Sequence, residues 1–151
     1  MPNIVHNQLS INFHNEKEFE DFTNRITKEK QASSEAFYSL AYSLFPPPKD
    51  ENEYDWTIEN YGGKWGDWYT STRHKYRENI ALYEFDSAWA PLITLAEKIA
   101  DLTERQVTLS FWSMDNMYEG KVTIDENGTL IEDEYRELDY EDFQMVPVEE
   151  E

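Results

Sequence analysis

Residues whose types and spacing could do chemistry are concentrated between Trp56 and Trp68. This stretch of thirteen residues contains three tryptophans, one tyrosine, three glycines, one asparagine and one lysine. Indole rings offer flat surfaces for stacking, a lysine offers positive charge, and glycines let the backbone approach a bound group closely. Together with a later tryptophan, the candidate ligand-binding residues are Trp56, Asn60, Lys64, Trp65 and Trp89. Their chemistry favours a module that binds or sequesters a small ligand or a nucleotide.

The same aromatic residues also support a purely structural interpretation. In this interpretation Trp56, Trp65 and Trp89 pack the segment onto the body of the domain. Asn60 and Lys64 then satisfy backbone carbonyls of a loop. A tightly packed aromatic loop and an exposed recognition surface need the same residue types, so sequence alone leaves both alternatives open.

Motifs that define known catalytic and metal-binding sites are missing from this sequence. Gly62-Gly63-Lys64 has the wrong spacing for a phosphate-binding loop, and Trp65 stands where such a loop needs a hydroxyl. The three histidines do not have metal-ligand spacing, and the chain contains no cysteine that could join them. No serine nucleophile motif is present either. We therefore predict a protein that is not an enzyme, with no cofactor and no metal site.

The strongest compositional feature of the chain is its negative charge. Its 32 acidic and 13 basic residues give a formal net charge of -19, and residues 119–151 alone contribute -11. Such a field repels the phosphates of nucleic acids and attracts basic surfaces. We therefore predict no direct binding of nucleic acid, and a basic host protein, such as a nuclease or defence complex, as the partner. The predicted partner-binding carboxylates are Glu132, Asp133, Glu134, Glu137, Asp139, Glu141 and Asp142.

These carboxylates lead to a functional hypothesis of charge mimicry. An acidic surface that resembles nucleic acid can occupy the basic groove of a defence factor, and many weak ion pairs then steer association. The blander alternative is that the acids only keep the protein soluble and monomeric. Salt dependence of binding to a basic protein would separate these alternatives, because salt screens long-range attraction.

Secondary-structure patterns indicate which elements must position these residues. Alternating apolar residues predict strands, an apolar stripe at helical spacing predicts a helix, and Asn15-Glu-Lys-Glu18 matches a capping box. In chain order the predicted elements are a strand at 3–13, a helix at 15–30, a strand at 80–85, a helix at 91–102, strands at 107–111 and 120–124, a turn at Asn127-Gly128 and a return strand at 129–131. Residues 33–45 are ambiguous, and 46–75 are interpreted as one long aromatic-rich insertion that begins with a polar loop at 46–55.

The order of these elements predicts an α+β fold. A ferredoxin-like split βαβ arrangement, with a four-stranded antiparallel sheet and two helices on one face, is the most economical solution. We predict one domain at 1–132, interrupted by the insertion at 46–75 and followed by an acidic C-terminal extension at 133–151. With no run of about eighteen apolar residues, no secretory signal and no cysteine, we expect a cytoplasmic location in a bacterial host and no membrane contact.

Several separated sequence blocks resemble one known family. The blocks are Met1-Pro-Asn3 with Asn7-x-Leu9, Trp56-x-Ile58-x-Asn60-x-Gly62-x-Lys64-Trp65, Phe85-x-Ser87-Ala88-Trp89-x-Pro91 and Tyr118-Glu-Gly120. In that order they resemble the YubB-like family of ferredoxin-like proteins of phages and conjugative plasmids, over residues 1–130. Ile4, Tyr61 and Gly63 depart from the residues that are common in the family. The resemblance implies a ferredoxin-like fold and a mobile-element origin. Together with the charge, it suggests an accessory protein that binds and inhibits a host defence factor.

Overall fold

The computed structural model describes residues 3–30, 36–71, 74–77 and 79–139 of the chain. The strands are β1 Ile4–Asn12, β2 Lys28–Lys30, β3 Ala36–Tyr38, β4 Lys64–Trp68, β5 His74–Arg77, β6 Ile80–Ala88, β7 Gln106–Ser113, β8 Tyr118–Ile124 and β9 Leu130–Glu137. The helices are α1 Glu16–Thr23, α2 Leu40–Leu44, α3 Glu53–Tyr61 and α4 Ile93–Thr103. The predicted α+β class is confirmed. No helix of the described residues is long and apolar enough to cross a membrane.

Of the described strands, seven form one antiparallel sheet. Across the sheet the order is β4, β6, β1, β7, β8 and β9, and β5 pairs with β6 on the same side as β4. β2 and β3 form a separate pair. Because β6 and β7 each run antiparallel to β1, they are parallel to each other, and α4 connects them across β1. The predicted number of four strands is too low, because β4 and β5, which were not predicted as strands, and the return strand β9 also join the sheet.

One face of the sheet carries the hydrophobic core. Val5, Leu9 and Ile11 are buried along β1 and alternate with less buried residues, as the period of two predicts. Phe19 from α1 and Leu95 from α4 join them in the same core cluster. These are the two predicted helices, and α2 and α3 are additional. The opposite face of β1 carries partly buried and exposed residues, and we call this side of the sheet its open face.

α1 begins where the sequence predicts but ends at Thr23 instead of near residue 30. The side chain of Asn15 accepts a hydrogen bond from the backbone N–H of Glu18 (3.0 Å), and the Glu18 carboxylate accepts one from the N–H of His14 (3.0 Å). After the helix, the N–H of Ile26 bonds to the carbonyl of Thr23 (3.2 Å), and the chain continues into β2. Phe19, Phe22 and Ile26 follow at helical spacing and favoured a helix to residue 30, but Ile26 reaches the core from this turn without a longer helix.

Residues 46–75 do not form one long insertion loop. They contain α3 and β4, and α3 begins within the predicted loop at 46–55. Asn52 caps this helix by accepting a hydrogen bond from the N–H of Asp55 (3.0 Å), and Gly62 ends it at a left-handed φ of 93°. The polar composition of the segment favoured a loop in the prediction. Asn52 and Asp55 nevertheless follow the same Asn-x-x-acid capping pattern as Asn15 and Glu18 of α1.

The C-terminal hairpin is longer than predicted. Its turn at Asn127-Gly128 is confirmed between β8 and β9. The return strand, predicted at 129–131, continues as β9 to Glu137. Residues 133–137, which the prediction assigned to an acidic extension, are therefore part of the sheet. Backbone pairing with β8 holds them there despite their polar side chains.

Candidate functional site

α3 divides the candidate ligand-binding residues into two groups. On a helix, residues four apart share a face. Trp56 and Asn60 therefore lie on one side of α3, whereas Tyr54 and Ile58 lie on another. Tyr54 and Ile58 are 44% and 43% exposed, while Trp56 packs partly buried against the core. Because Lys64 and Trp89 lie beside Tyr54 and Ile58 and not beside Trp56 and Asn60, the five predicted residues do not form one site.

Trp56 and Asn60 make internal contacts between α3 and α4. The side-chain amide of Asn60 donates to the backbone carbonyl of Trp56 (2.9 Å), and Asn60 Oδ1 accepts from Lys98 Nζ (3.1 Å). The Lys98 ammonium also lies 5.4 Å from the centre of the Trp56 ring, within the range of a cation–π interaction. The Trp56 ring meets the fully buried Tyr61 edge to face at 5.3 Å. These contacts agree with the structural interpretation of Trp56 and Asn60.

Lys64 and Trp89 line a cavity beside α3. The volume of this cavity is about 220 Å³, and its lining residues are Tyr54, Ile58, Gly62, Gly63, Lys64, Ala88, Trp89 and Ala90. Lys64 Nζ lies 5.6 Å from the centre of the Tyr54 ring and 5.9 Å from the centre of the Trp89 ring. Trp65 does not line the cavity, and its ring packs edge to face on Tyr54 at 5.8 Å. We call Tyr54, Ile58, Lys64 and Trp89 the aromatic corner.

The backbone of Trp89 adopts a left-handed conformation that favours glycine. Its φ is 72°. A non-glycine residue in this region costs roughly 1–3 kcal/mol. The N–H of Trp89 donates to the carbonyl of Asn3 (2.8 Å), which fixes the strained turn against the start of β1. Trp89 nevertheless remains 49% exposed, so burial of the indole only partly offsets the strain.

A buried polar network supports the turn that carries Trp89. The side-chain amide of Asn7, which is 2% exposed, donates to Ser87 Oγ (2.9 Å). Ser87 Oγ donates in turn to the carbonyl of Ala90 (2.6 Å), and Asn7 Oδ1 accepts from the N–H of Leu92 (3.2 Å). A buried polar group that loses its partner costs about 1–3 kcal/mol. The network therefore holds this turn in one conformation.

Glycines form the floor of the cavity. Gly63 lies so close to the start of α4 that a Cβ atom there would be 2.9 Å from Leu92 Cδ2. Gly62 ends α3 in the left-handed region, where a side chain would be strained. Bare backbone at these two positions lets the end of α3 and the start of β4 pack closely against the start of α4.

A buried carboxylate that sequence reasoning missed lies on β4, the strand that also carries Lys64. Asp67 is fully buried and accepts hydrogen bonds from the N–H groups of Leu40 (2.8 Å) and Ala41 (2.9 Å). The hydroxyl of Ser39 also donates to it (3.0 Å). Asp67 thereby satisfies the N-terminus of α2, the short helix inside the ambiguous segment 33–45. No local pattern signals this contact, because the partners are far apart in the chain.

The predicted acidic partner surface lies on β9, at the end of the sheet. Of the predicted carboxylates, the structure describes Glu132, Asp133, Glu134, Glu137 and Asp139, while Glu141 and Asp142 lie outside the described residues. Every residue of β9 is exposed except Glu132, which is half-buried. β9 pairs with β8, and among the described strands none pairs with its other side. We call the described carboxylates the acidic edge.

A lysine and an arginine neutralise part of the charge around β9. Lys121 Nζ lies 3.5 Å from Glu132 Oε1, which also accepts from the Thr123 hydroxyl (2.8 Å). The Thr123 hydrogen bond is the largest cause that lowers the pKa of the Glu132 carboxyl, and Lys121 adds a smaller effect. Arg136 Nη2 pairs with Glu119 Oε2 (2.8 Å). Glu132 is therefore the carboxylate of the acidic edge least available to a partner.

Three carboxylates of the acidic edge keep their charge exposed. They are Asp133, Glu134 and Glu137. Within the part of the chain that the structure describes, no lysine or arginine forms an ion pair with any of them. Strand alternation places Glu134 on the open face and the other two on the opposite face. Both faces of β9 therefore present negative charge.

A larger concavity lies beside β9 on the open face. Its volume is about 520 Å³, and its lining residues are Ser110, Phe111, Trp112, Glu119, Gly120, Lys121, Glu134, Tyr135 and Arg136. Trp112, which is 41% exposed, stacks on the ring of His6 with 5.3 Å between the ring centres. The alternation of β7 could have identified Trp112 as an exposed residue. Trp112 follows the buried Phe111 in the strand and therefore lies on the opposite face. Both cations of this concavity are paired with carboxylates, so it presents no basic patch for phosphates.

The function of this chain has to be inferred from its own geometry. No protein-family model, no curated protein and no solved structure matches it. Among the residues described, no group of three or more His, Asp or Glu side chains is arranged to hold a metal ion. The aromatic corner and the acidic edge are therefore the two surfaces from which a function can be argued.

Proposed function

We propose that this chain is a non-enzymatic accessory protein of phage or plasmid type that binds and inhibits a basic, nucleic-acid-binding factor of its host. The observation that carries the proposal is the position of the acidic edge on a strand whose outer side pairs with no described strand. The carboxylates there project from a regular, extended backbone. They are therefore presented to a partner as one group.

The spacing of the carboxylates supports mimicry of nucleic acid. Successive residues of a strand rise by about 3.4 Å, which is close to the axial rise of about 3.4 Å between phosphates along one DNA strand. Asp133 and Glu134 are consecutive in β9, so their charges follow that rise. Their side chains alternate between the two faces of the sheet, and a basic groove that closes around the edge meets both sets.

The charge of the whole chain favours a basic protein over a nucleic acid as the partner. Residues 119–151 contribute -11 of the net charge of -19. This field accelerates encounter with a positive surface and repels phosphates. The attraction acts over about 8 Å at physiological ionic strength, so added salt should weaken the interaction.

The strand order supports a ferredoxin-like core as part of the same proposal. α4 joins β6 to β7 across β1, and the segment that contains α1 joins β1 to β4 across β6. Two such split connections define the ferredoxin-like arrangement, and β8 and β9 then extend it on one side. The resemblance to YubB-like proteins and a location in the bacterial cytoplasm stay predictions.

Matched charge variants test the proposed function. The test variant combines Asp133→Asn, Glu134→Gln and Glu137→Gln. The control variant combines Glu59→Gln, Glu97→Gln and Asp101→Asn, which are exposed acids of α3 and α4. Both variants remove the same amount of charge, so a difference between them reports the position of the charge.

Each protein is immobilised and exposed to a bacterial lysate, and the retained proteins are identified and then eluted with duplex DNA. We expect the wild type and the control to retain the same DNA-binding protein, and the test variant to lose it at about 0.1 M salt, where screening is incomplete. The wild type should also inhibit the activity of that protein on DNA, whereas the test variant should not. Retention of no DNA-binding protein, or equal inhibition by all three proteins, would refute charge mimicry.

A further inference from the structure

The aromatic corner exposes apolar surface that packing does not explain. Tyr54, Ile58 and Trp89 are each more than two-fifths exposed, and all three surround one cavity. Contiguous exposed apolar groups rimmed by polar residues mark binding sites on proteins. Trp89 holds its ring at this cavity from a backbone conformation that is strained for a side-chain-bearing residue. A tryptophan that served packing alone would bury more of its ring.

The charge of Lys64 indicates which kind of ligand the corner would accept. Its ammonium lies within cation–π range of both rings, and no carboxylate of the described residues pairs with it. This lysine therefore keeps its charge available in a chain that has 32 acidic residues. Lys64 would repel a second cation at the rings. An anionic group can pair with it, because the flexible lysine stem can adjust to the position of the ligand.

The size of the cavity suits a ligand with a single ring. Its volume of about 220 Å³ is smaller than the roughly 300–1,000 Å³ of pockets that hold drug-sized ligands. We propose that the aromatic corner binds a small aromatic carboxylate. The ring of the ligand stacks on Trp89 and contacts Tyr54, and its carboxylate pairs with Lys64. The bare backbone of Gly62 and Gly63 forms the floor beneath it.

Titration with benzoate, followed by NMR spectroscopy, tests this proposal. The chain has five tryptophans, so its indole N–H signals are few enough to assign. We expect benzoate to shift the signals of Trp89 and Gly63 and to leave that of Trp56 unchanged. Benzamide has the same ring without the charge and should bind at least about tenfold more weakly. No shift at Trp89, or equal affinity for the two compounds, would overturn the proposal.

A matched pair of lysine variants separates local pairing from net charge. Lys64→Gln and Lys49→Gln remove the same charge, but Lys49 is an exposed loop residue that does not line the cavity. We expect Lys64→Gln to weaken benzoate binding at least about tenfold and Lys49→Gln to change it less than about twofold. Equal effects of the two substitutions would contradict the proposed role of Lys64.

Trp89→Gly removes the ring and relieves the backbone at the same time. Glycine accepts a φ of 72° without strain. We therefore expect the melting temperature to change by less than about 4 °C while benzoate binding is lost. Full binding by this variant would overturn the proposal, and a larger fall in melting temperature would show that the ring serves the fold instead.

The benzoate experiment is independent of the proposed charge mimicry. The cavity lies beside β4, whereas the acidic edge lies on β9 at the other edge of the sheet. The acidic-edge test variant should therefore bind benzoate as the wild type does. Failure of one proposal leaves the other to be judged on its own results.

Discussion

The aromatic corner and the acidic edge lie at opposite edges of one sheet, and they are held in place by different interactions. Around the corner, Asn7 and Asp67 are buried and make several hydrogen bonds each. At the acidic edge, β9 is held by backbone pairing with β8 and by ion pairs that are largely exposed. The same domain thus contains one surface fixed by buried polar contacts and one fixed mainly by its backbone.

In the two proposed roles, this difference would determine how each surface recognises its partner. Buried hydrogen bonds are strong in a low-dielectric interior and define positions closely, so the corner can select a ligand by shape. Exposed ion pairs contribute about 0–1 kcal/mol each and are weakened by salt. The acidic edge can therefore select a partner by charge density but not by the position of a single carboxylate.

The largest expected loss of stability comes from removing the buried carboxylate of Asp67 on β4, the strand that also carries Lys64. Asp67→Ala leaves the N–H groups of Leu40 and Ala41 without their acceptor in a buried site. We expect the free energy of unfolding to fall by about 3–5 kcal/mol, measured by urea denaturation. Asp101→Ala, at an exposed position of α4, is the control and should cost less than about 1 kcal/mol. Similar values for the two variants would contradict the claim that buried polar contacts stabilise this region.

A smaller loss of stability is expected from a substitution at Gly120 in β8, the strand that joins the acidic edge to the core. A Cβ atom at Gly120 would lie 2.4 Å from Phe111 Cζ and 2.7 Å from the carbonyl oxygen of Glu134. We expect Gly120→Ala to destabilise the protein by about 1–3 kcal/mol and to increase hydrogen exchange along β9. Gly128→Ala tests backbone strain alone, because φ there is 82° and no atom lies within 4 Å of the added Cβ. Faster exchange in β9 with Gly128→Ala but not with Gly120→Ala would disprove this account.

The smallest expected loss of stability comes from breaking the partly exposed ion pair between Arg105 and Glu18. Arg105 donates to Glu18 through Nε (3.0 Å) and Nη2 (2.8 Å), and these bonds chiefly lower the pKa of Glu18 from 4.5 to about 2. Because the folded state favours the ionised carboxyl, this stability is complete above pH 4.5 and is lost as the pH falls towards 2. Partial exposure reduces the contribution to about 1 kcal/mol.

Glu18→Gln provides the measurement for this ion pair. The difference in unfolding free energy between wild type and variant should be about 1 kcal/mol at neutral pH and should vanish in acid. Other carboxylates contribute equally to both proteins and cancel in the difference. A difference that stays constant between neutral pH and pH 3 would show that the shifted pKa of Glu18 does not contribute to stability.

Much of the fold could be predicted where one local pattern was sufficient. The capping residues at Asn15 and Glu18 indicated the start of α1, alternation indicated β1 and β7, and a run of apolar and aromatic residues indicated β6. The turn at Asn127-Gly128 was also correct. β9 was predicted too short, because its side chains do not alternate between apolar and polar along the strand. Only its backbone pairing with β8 makes this segment a strand.

The candidate ligand site was only half predicted, for a related reason. Lys64 and Trp89 were included, but Tyr54 and Ile58 were missed because residues 46–75 were interpreted as an insertion that begins with a loop, and not as a segment that contains a helix. The pattern from Asn52 to Asp55 was available and would have placed both missed residues on one face of α3. A helix instead of a loop changes which side chains share a surface.

The sequence by itself determined the element types with clear caps and alternation, the overall negative charge and the concentration of that charge near the C-terminus. The tertiary structure alone decided which aromatic residues are exposed. Trp56 is partly buried because Lys98 and Tyr61 contact it, whereas Trp89 faces solvent because Asn3 and the Asn7 network hold its turn outward. Apart from the contact between Trp56 and Tyr61, these contacts join residues distant in the chain, and a local pattern of residue types carries no information about them.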